Sequence, residues 1–272
     1  MLSRRIAIPF ALWLGIILYL VFVEERSGIM VWMIPPALIL MLIYTFSPQI
    51  DWLWLEKYPP RADQVLKHLL QRINPWYKSL TPADQERFET RVLMYVEGRD
   101  FSPIQGQELK EDEKCLIAAG AVHMTFYQDD FLMDPFEKIV FYQHPFPSPN
   151  HPYLHICESD MEDGVLIFSL EQVWQGWLNP YKAFNPVYYE LAKVLRFKHQ
   201  WKEPQWPQDI WEQLTGLCSF KKEWVSQYLG FKEPDVFGVA SSIFFTFPQK
   251  MRDKTPALYA YFCRLYQFPA LT

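Results

Sequence analysis

The 272-residue chain has only six histidines, and no two of them frame an H-E-x-x-H pentapeptide. Its four cysteines, Cys115, Cys157, Cys218 and Cys263, are widely spaced and form no C-x-x-C pair. That excludes a zinc ribbon and a dithiol redox motif. Scattered thiols of this kind read as buried side chains in a reducing compartment. There is no basic excess, since the formal net charge is -5, so no nucleic-acid surface is indicated. The chain also lacks an internal repeat and a low-complexity tract, which excludes solenoid architectures.

Apolar and aromatic residues are abundant. Half of the chain is apolar, enough for a large core. Ile6 to Val23 and Ile29 to Phe46 are two apolar runs joined by Glu24-Glu25-Arg26-Ser27-Gly28. Each is long enough to cross a bilayer, which takes about 17–25 residues. The pair predicts a transmembrane hairpin, in which Pro9, Pro35 and Pro36 kink or break the helices locally. The first run resembles a twin-Arg export signal at Ser3-Arg4-Arg5. It exceeds the usual apolar core of such signals, no small-x-small cleavage site follows, and a second span argues against export. Arg4 and Arg5 precede span one, and Lys57, Arg61, Lys67 and Arg72 follow span two. The positive-inside rule then places both ends, and the soluble domain, in the cytoplasm.

Residues 50–61 read as an interfacial linker, with Trp52 and Trp54 either at the headgroup level or packed, and Tyr58-Pro59-Pro60 marks the boundary. Residues 62–272 read as an α+β domain. Helices are expected over Ala62–Ile73, from Thr81-Pro82, over Lys114–Tyr127, over Ser169–Trp177, and over Trp211–Leu217, Lys221–Leu229, Asp235–Phe245 and Pro256–Tyr266. Strands are expected at Lys138–Tyr142, Val165–Leu170 and Tyr153–Cys157. Phe101–Leu109 reads as a loop or a short extended segment, His144–His151 as a Pro-rich loop and Trp201–Trp211 as irregular.

The organising stretch is Phe184 to Leu195. Asn185 is a good N-cap and Pro186 suits the first helical position. Val187, Leu191, Val194 and Leu195 form a buried face. Tyr189 and Lys193 are four apart and so share a face, with Glu190 beside the first. A zinc peptidase puts its two histidines at that spacing and its general-base Glu at that place. Any amphipathic core helix also carries such a pentapeptide, so the pattern alone decides nothing.

The wider sequence adds weight. Leu80-Thr-Pro-Ala-Asp-Gln-Glu-Arg-Phe88, Leu116-Ile-Ala-Ala119, Gly164 to Leu170, Asn185 to Lys193 and Pro234 to Phe245 occur in this order. Together they resemble the Mlc titration factor A family of glucose-regulated zinc peptidases, from about Leu80 to the C-terminus. The resemblance implies a zincin-like, mainly helical fold with a small β-sheet. It equates Glu190 with the catalytic Glu, Tyr189 and Lys193 with the two His ligands, Asp235 with the Glu ligand and Ser242 with a second family Glu. Which of these last two positions binds metal stays open.

Tyr and protonated Lys are unusual zinc ligands. One expectation is that the Lys193 ammonium replaces the metal and pairs with Glu190, with Asp235 a further candidate neighbour; the other is that Lys193 points to solvent. Without zinc no bound water has its pKa lowered, and the family's hydrolysis fails. No cofactor is then expected. The chain reads as an inactive, membrane-anchored homologue in the bacterial inner membrane, with its bilayer contact through residues 6–46 and a protein or peptide partner in the former substrate cleft. The resemblance implies a transcriptional repressor as partner in some members. The alternatives are an active tethered zinc peptidase with altered ligands, and a structural membrane subunit. His123 is expected in the core, and His151 and His155 lie on an extended segment. His199 is the histidine nearest the old site in sequence, and Glu158, Asp160, Glu162 and Asp163 form a solvated acidic turn.

Overall fold

The computed structural model describes residues 2–25, 27–104, 108–148 and 151–269. The chain divides into two compact units, Met1–Pro60 and Arg61–Thr272.

In the first unit, α1 (Leu2–Phe22) is one continuous helix, and Pro9 inside it does not interrupt it. A 3-10 segment, Ser27–Met33, leads into α2 (Ile34–Thr45). Pro35 and Pro36 stand in the first turn of α2, where a missing N–H costs nothing. The second apolar run is therefore a 3-10 turn followed by a helix. Leu2–Phe22 and Gly28–Thr45 are each long and apolar enough to cross a membrane. The expected linker is mostly a third helix, α3 (Ser47–Lys57). Asp51 on α3 accepts bonds from Ser3 N at 2.8 Å and Ser3 Oγ at 2.7 Å, which satisfies a free amide at the start of α1.

In the second unit, Asp63 caps α4 (Gln64–Ile73) by accepting from Leu66 N. Asn74-Pro75, which reads as a breaker, caps a short helix, α5 (Pro75–Ser79). Thr81 caps α6 (Pro82–Glu97), which ends at Gly98. The segment after it, expected as a loop or short extended stretch, begins with strand β1 (Asp100–Pro103). Acidic residues open α7 (Glu111–Met124), as the helix dipole favours. The chain continues through β2 (Lys138–Tyr142), β3 (Phe146–Ser148), β4 (His151–His155), β5 (Cys157–Asp160) and β6 (Val165–Ser169). The predicted third strand is thus split in two at Ile156, and the Pro-rich loop contains β3.

Helices α8 (Leu170–Leu178), α9 (Pro186–Lys198), α10 (Ile210–Cys218), α11 (Lys222–Leu229), α12 (Val236–Thr246), α13 (Pro248–Lys254) and α14 (Pro256–Tyr266) follow. Of these, α13 has no counterpart among the expected elements.

The sheet order is β1-β2-β6-β5, with β5 antiparallel on β6 and the other pairs parallel. β3 and β4 form a separate antiparallel pair. The architecture is mainly helical with a small mixed sheet. α9 runs through the centre of the core: Val187, Leu191, Ala192, Val194 and Leu195 are all buried. α9 packs on α12, α7 and the edge strand β5. Gly238 makes the α9–α12 approach close, because a Cβ there would stand 2.8 Å from the Tyr189 ring.

Candidate functional site

The side chain of Asn185 accepts from Val187 N, which starts α9 with Tyr189 and Glu190 in its first turns. Glu190 is completely buried. Lys193, one turn on, donates from Nζ to Glu190 Oε2 at 2.8 Å, with a fifth of its side chain exposed. Of the two expectations for Lys193, the ion pair is the one the fold adopts. The ammonium also faces the rings of Tyr189 at 5.3 Å and Phe231 at 5.8 Å. Burial works against its charge, but the Glu190 carboxylate more than offsets this and leaves the pKa above the ordinary lysine value. Glu190 Oε1 is buried without a hydrogen bond.

Asp235 is the N-cap of α12 and accepts from Gly238 N at 2.7 Å through Oδ1. Its Oδ2 takes Arg196 Nη2 at 2.5 Å. Asp235, the further candidate neighbour of Lys193, is instead bonded by Arg196, one turn beyond Lys193. Tyr189 Oη accepts from Asp235 N at 3.0 Å. Burial, with the nearby Glu190 charge, pushes the Tyr189 phenol well above its usual range. Ser242 is buried and donates to Asn185 O at 3.0 Å, a tie between α12 and the start of α9.

Sequence reasoning missed Arg196 and Cys157. Arg196 shares a helix face with Lys193 at i, i+3, which was a usable signal. Cys157 sits on β5, the strand packed against α9, and nothing local marks it. Burial first, and then the Glu190 charge, raise its thiol pKa well above normal.

The remaining sequence candidates lie elsewhere. His123 is buried in the core, with Tyr188 Oη 2.7 Å and Asn74 Nδ2 3.4 Å from its Nδ1. Burial lowers its pKa to about 3. His199 is exposed and stacks on Trp201 with ring centroids 5.0 Å apart. His151 and His155 share a strand, as their extended reading implies. The acidic turn needs a correction: Glu158 is not solvated, because its Oε2 lies 3.0 Å from Nε2 of the fully buried His155. Asp160 instead accepts from Glu162 N and Asp163 N, closing the turn on itself.

A catalytic zinc takes three protein ligands and a water. At these positions stand a protonated phenol, a lysine ammonium, and a carboxylate with both oxygens already engaged. The unbonded Glu190 Oε1 is one free donor, not three. The donor set does not fit zinc. Among the described residues no group of three or more His, Cys, Asp or Glu is arranged to hold a metal.

No curated protein matches the chain. The model of the glucose-regulated metallo-peptidase family M90 matches residues 54–267. That match takes in the sheet, α9 and α12 together, and the chain therefore belongs to the glucose-regulated metallo-peptidase M90 family.

Proposed function

We propose that the protein is a membrane-anchored, catalytically inactive member of this family that binds a protein or peptide segment as a regulatory module. The observation that carries this is the 2.8 Å ion pair between Lys193 and Glu190. It puts a cation of the protein's own beside the residue aligned with the general base. Glu190 then has no polarised water to deprotonate, and hydrolysis by a metal-activated water has no starting point. Tyr189, Lys193 and Asp235 are read as former metal positions, with Glu190 the vestigial base. Ser242 serves the fold through its bond to Asn185.

The anchor is residues 1–49, joined by residues 50–61 to a domain over 62–272. Arg4 and Arg5 before the first apolar helix, and Lys57, Arg61, Lys67 and Arg72 after the second, support a cytoplasmic domain at a bacterial inner membrane. Ligand binding would use the cleft of about 810 Å3 into which Lys193 and Arg196 open. The test is hydrolysis of fluorogenic amino-acid amides and peptides by the full-length protein with zinc supplied. The reading expects no rate above the protein-free blank. Chelator-sensitive turnover contradicts it.

A further inference from the structure

The cleft beside Lys193 has a chemistry that specifies its occupant more closely. Its volume of about 810 Å3 lies within the range of small-molecule and short-peptide sites. One wall is the face of α9 that carries Lys193, Arg196 and Phe197, and Trp201 and Lys202 follow from the segment after that helix. Of the charged side chains lining it, Lys193, Arg196, Lys198 and Lys202 are cations and Asp134 alone is acidic. Asp134 is already held by Arg99.

The cations are unequally compensated. Lys193 is paired with Glu190, Arg196 with Asp235, and Lys198 with Asp130. Glu203 stands 3.8 Å from Arg196 and is half exposed. Lys202 is exposed and has no ion-pair partner among the described residues. Each ammonium has three donors and a guanidinium five, so one carboxylate apiece leaves donors to spare. Arg196 Nη1 is itself buried, so the cleft offers its N–H donors chiefly through the ammonium groups, with little uncompensated positive charge. That combination suits carboxylates and backbone carbonyls better than a polyphosphate. Phe197 and Trp201 supply apolar surface between the donors.

We propose that this cleft binds an acidic peptide segment of a partner protein, with a side-chain carboxylate at Lys202 and backbone carbonyls at Lys193 and Arg196. The inference rests on the non-catalytic reading above, since it needs the peptide to remain uncut. A positive charge in a cleft with apolar walls attracts such a segment more strongly than it would in open water.

The test uses the full-length protein in detergent micelles and two fluorescein-labelled hexapeptides, one alternating leucine and glutamate and one with glutamine in place of glutamate. By anisotropy the glutamate peptide should bind about tenfold more tightly at low salt, and added salt should shrink the difference. Lys202→Glu should abolish the preference and Lys202→Gln should reduce it. Lys202 is exposed and has no ion-pair partner among the described residues, so both variants should keep the parent's thermal midpoint. Equal affinities, no binding of either peptide, or a preference that survives Lys202→Glu overturns the acidic-ligand proposal while the non-catalytic reading stands. Chelator-sensitive cleavage of either peptide overturns the reading beneath it.

Discussion

The Tyr189 hydroxyl accepts a hydrogen bond from the Asp235 amide at 3.0 Å. In the family resemblance Tyr189 stands at a His-ligand position and Asp235 at one of the two candidate carboxylate-ligand positions, and here the two are joined directly. Arg196–Asp235 and Ser242–Asn185 run across the same helix pair. A metal bridging α9 and α12 would cross-link them; in this chain side-chain bonds do so. Tyr189→Phe removes the acceptor and leaves a part-buried cap amide unpaired. The expected cost is about 1–2 kcal/mol, or a Tm lower by about 2–8 °C for a domain of this size. Thermal unfolding of the variant checks it, and an unchanged Tm contradicts the strut.

The ion pair beneath the cleft makes a second prediction. Lys193→Met strands the fully buried Glu190 carboxylate, which should cost about 3 kcal/mol, the lower end of the range because Lys193 is partly exposed. Glu190→Gln together with Lys193→Met removes both charges and should recover most of that loss. Denaturant titration of both singles and the double measures the coupling. Additive costs would mean that the two side chains do not depend on each other.

Gly238→Ala tests the close approach of α12 to α9. The added methyl would stand 2.8 Å from Cδ2 of a ring that is itself buried. Overpacking of this kind costs about 1–3 kcal/mol. A variant as stable as the parent would show that the helix pair relaxes freely there.

Acid should destabilise the domain through His123. Its pKa falls from 6.5 unfolded to about 3 in the core, where burial disfavours the imidazolium. Between those values the unfolded chain binds the proton and the folded one does not. Its contribution is therefore whole above pH 6.5 and is lost progressively as pH falls toward 3. His123→Gln, although less stable at neutral pH, should lose about one proton of that pH dependence. Urea midpoints of parent and variant across that window decide it; parallel curves contradict the assignment.

Much of the fold was readable from local chemistry. Asn185-Pro186 and Thr81-Pro82 mark helix starts because capping side chains and a fixed φ act within three residues. Asn74-Pro75 does end α4, as its breaker chemistry implies, but the five-residue helix that the same pair opens is too short to show a periodic pattern. The Lys193–Glu190 pair was legible because i, i+3 neighbours meet on any helix. The Arg196–Asp235 pair was not, since 39 residues separate its members and only tertiary packing brings them together. Glu158 was misjudged for a related reason: an acidic run looks solvated until strand pairing buries the histidine beside it.

The most direct test is the zinc content of the purified full-length protein, measured by elemental analysis after exposure to zinc and removal of the excess. With Lys193 paired to Glu190 and Asp235 held by Arg196, less than about a tenth of an equivalent should remain bound. One equivalent of zinc, released by a chelator, would contradict the account.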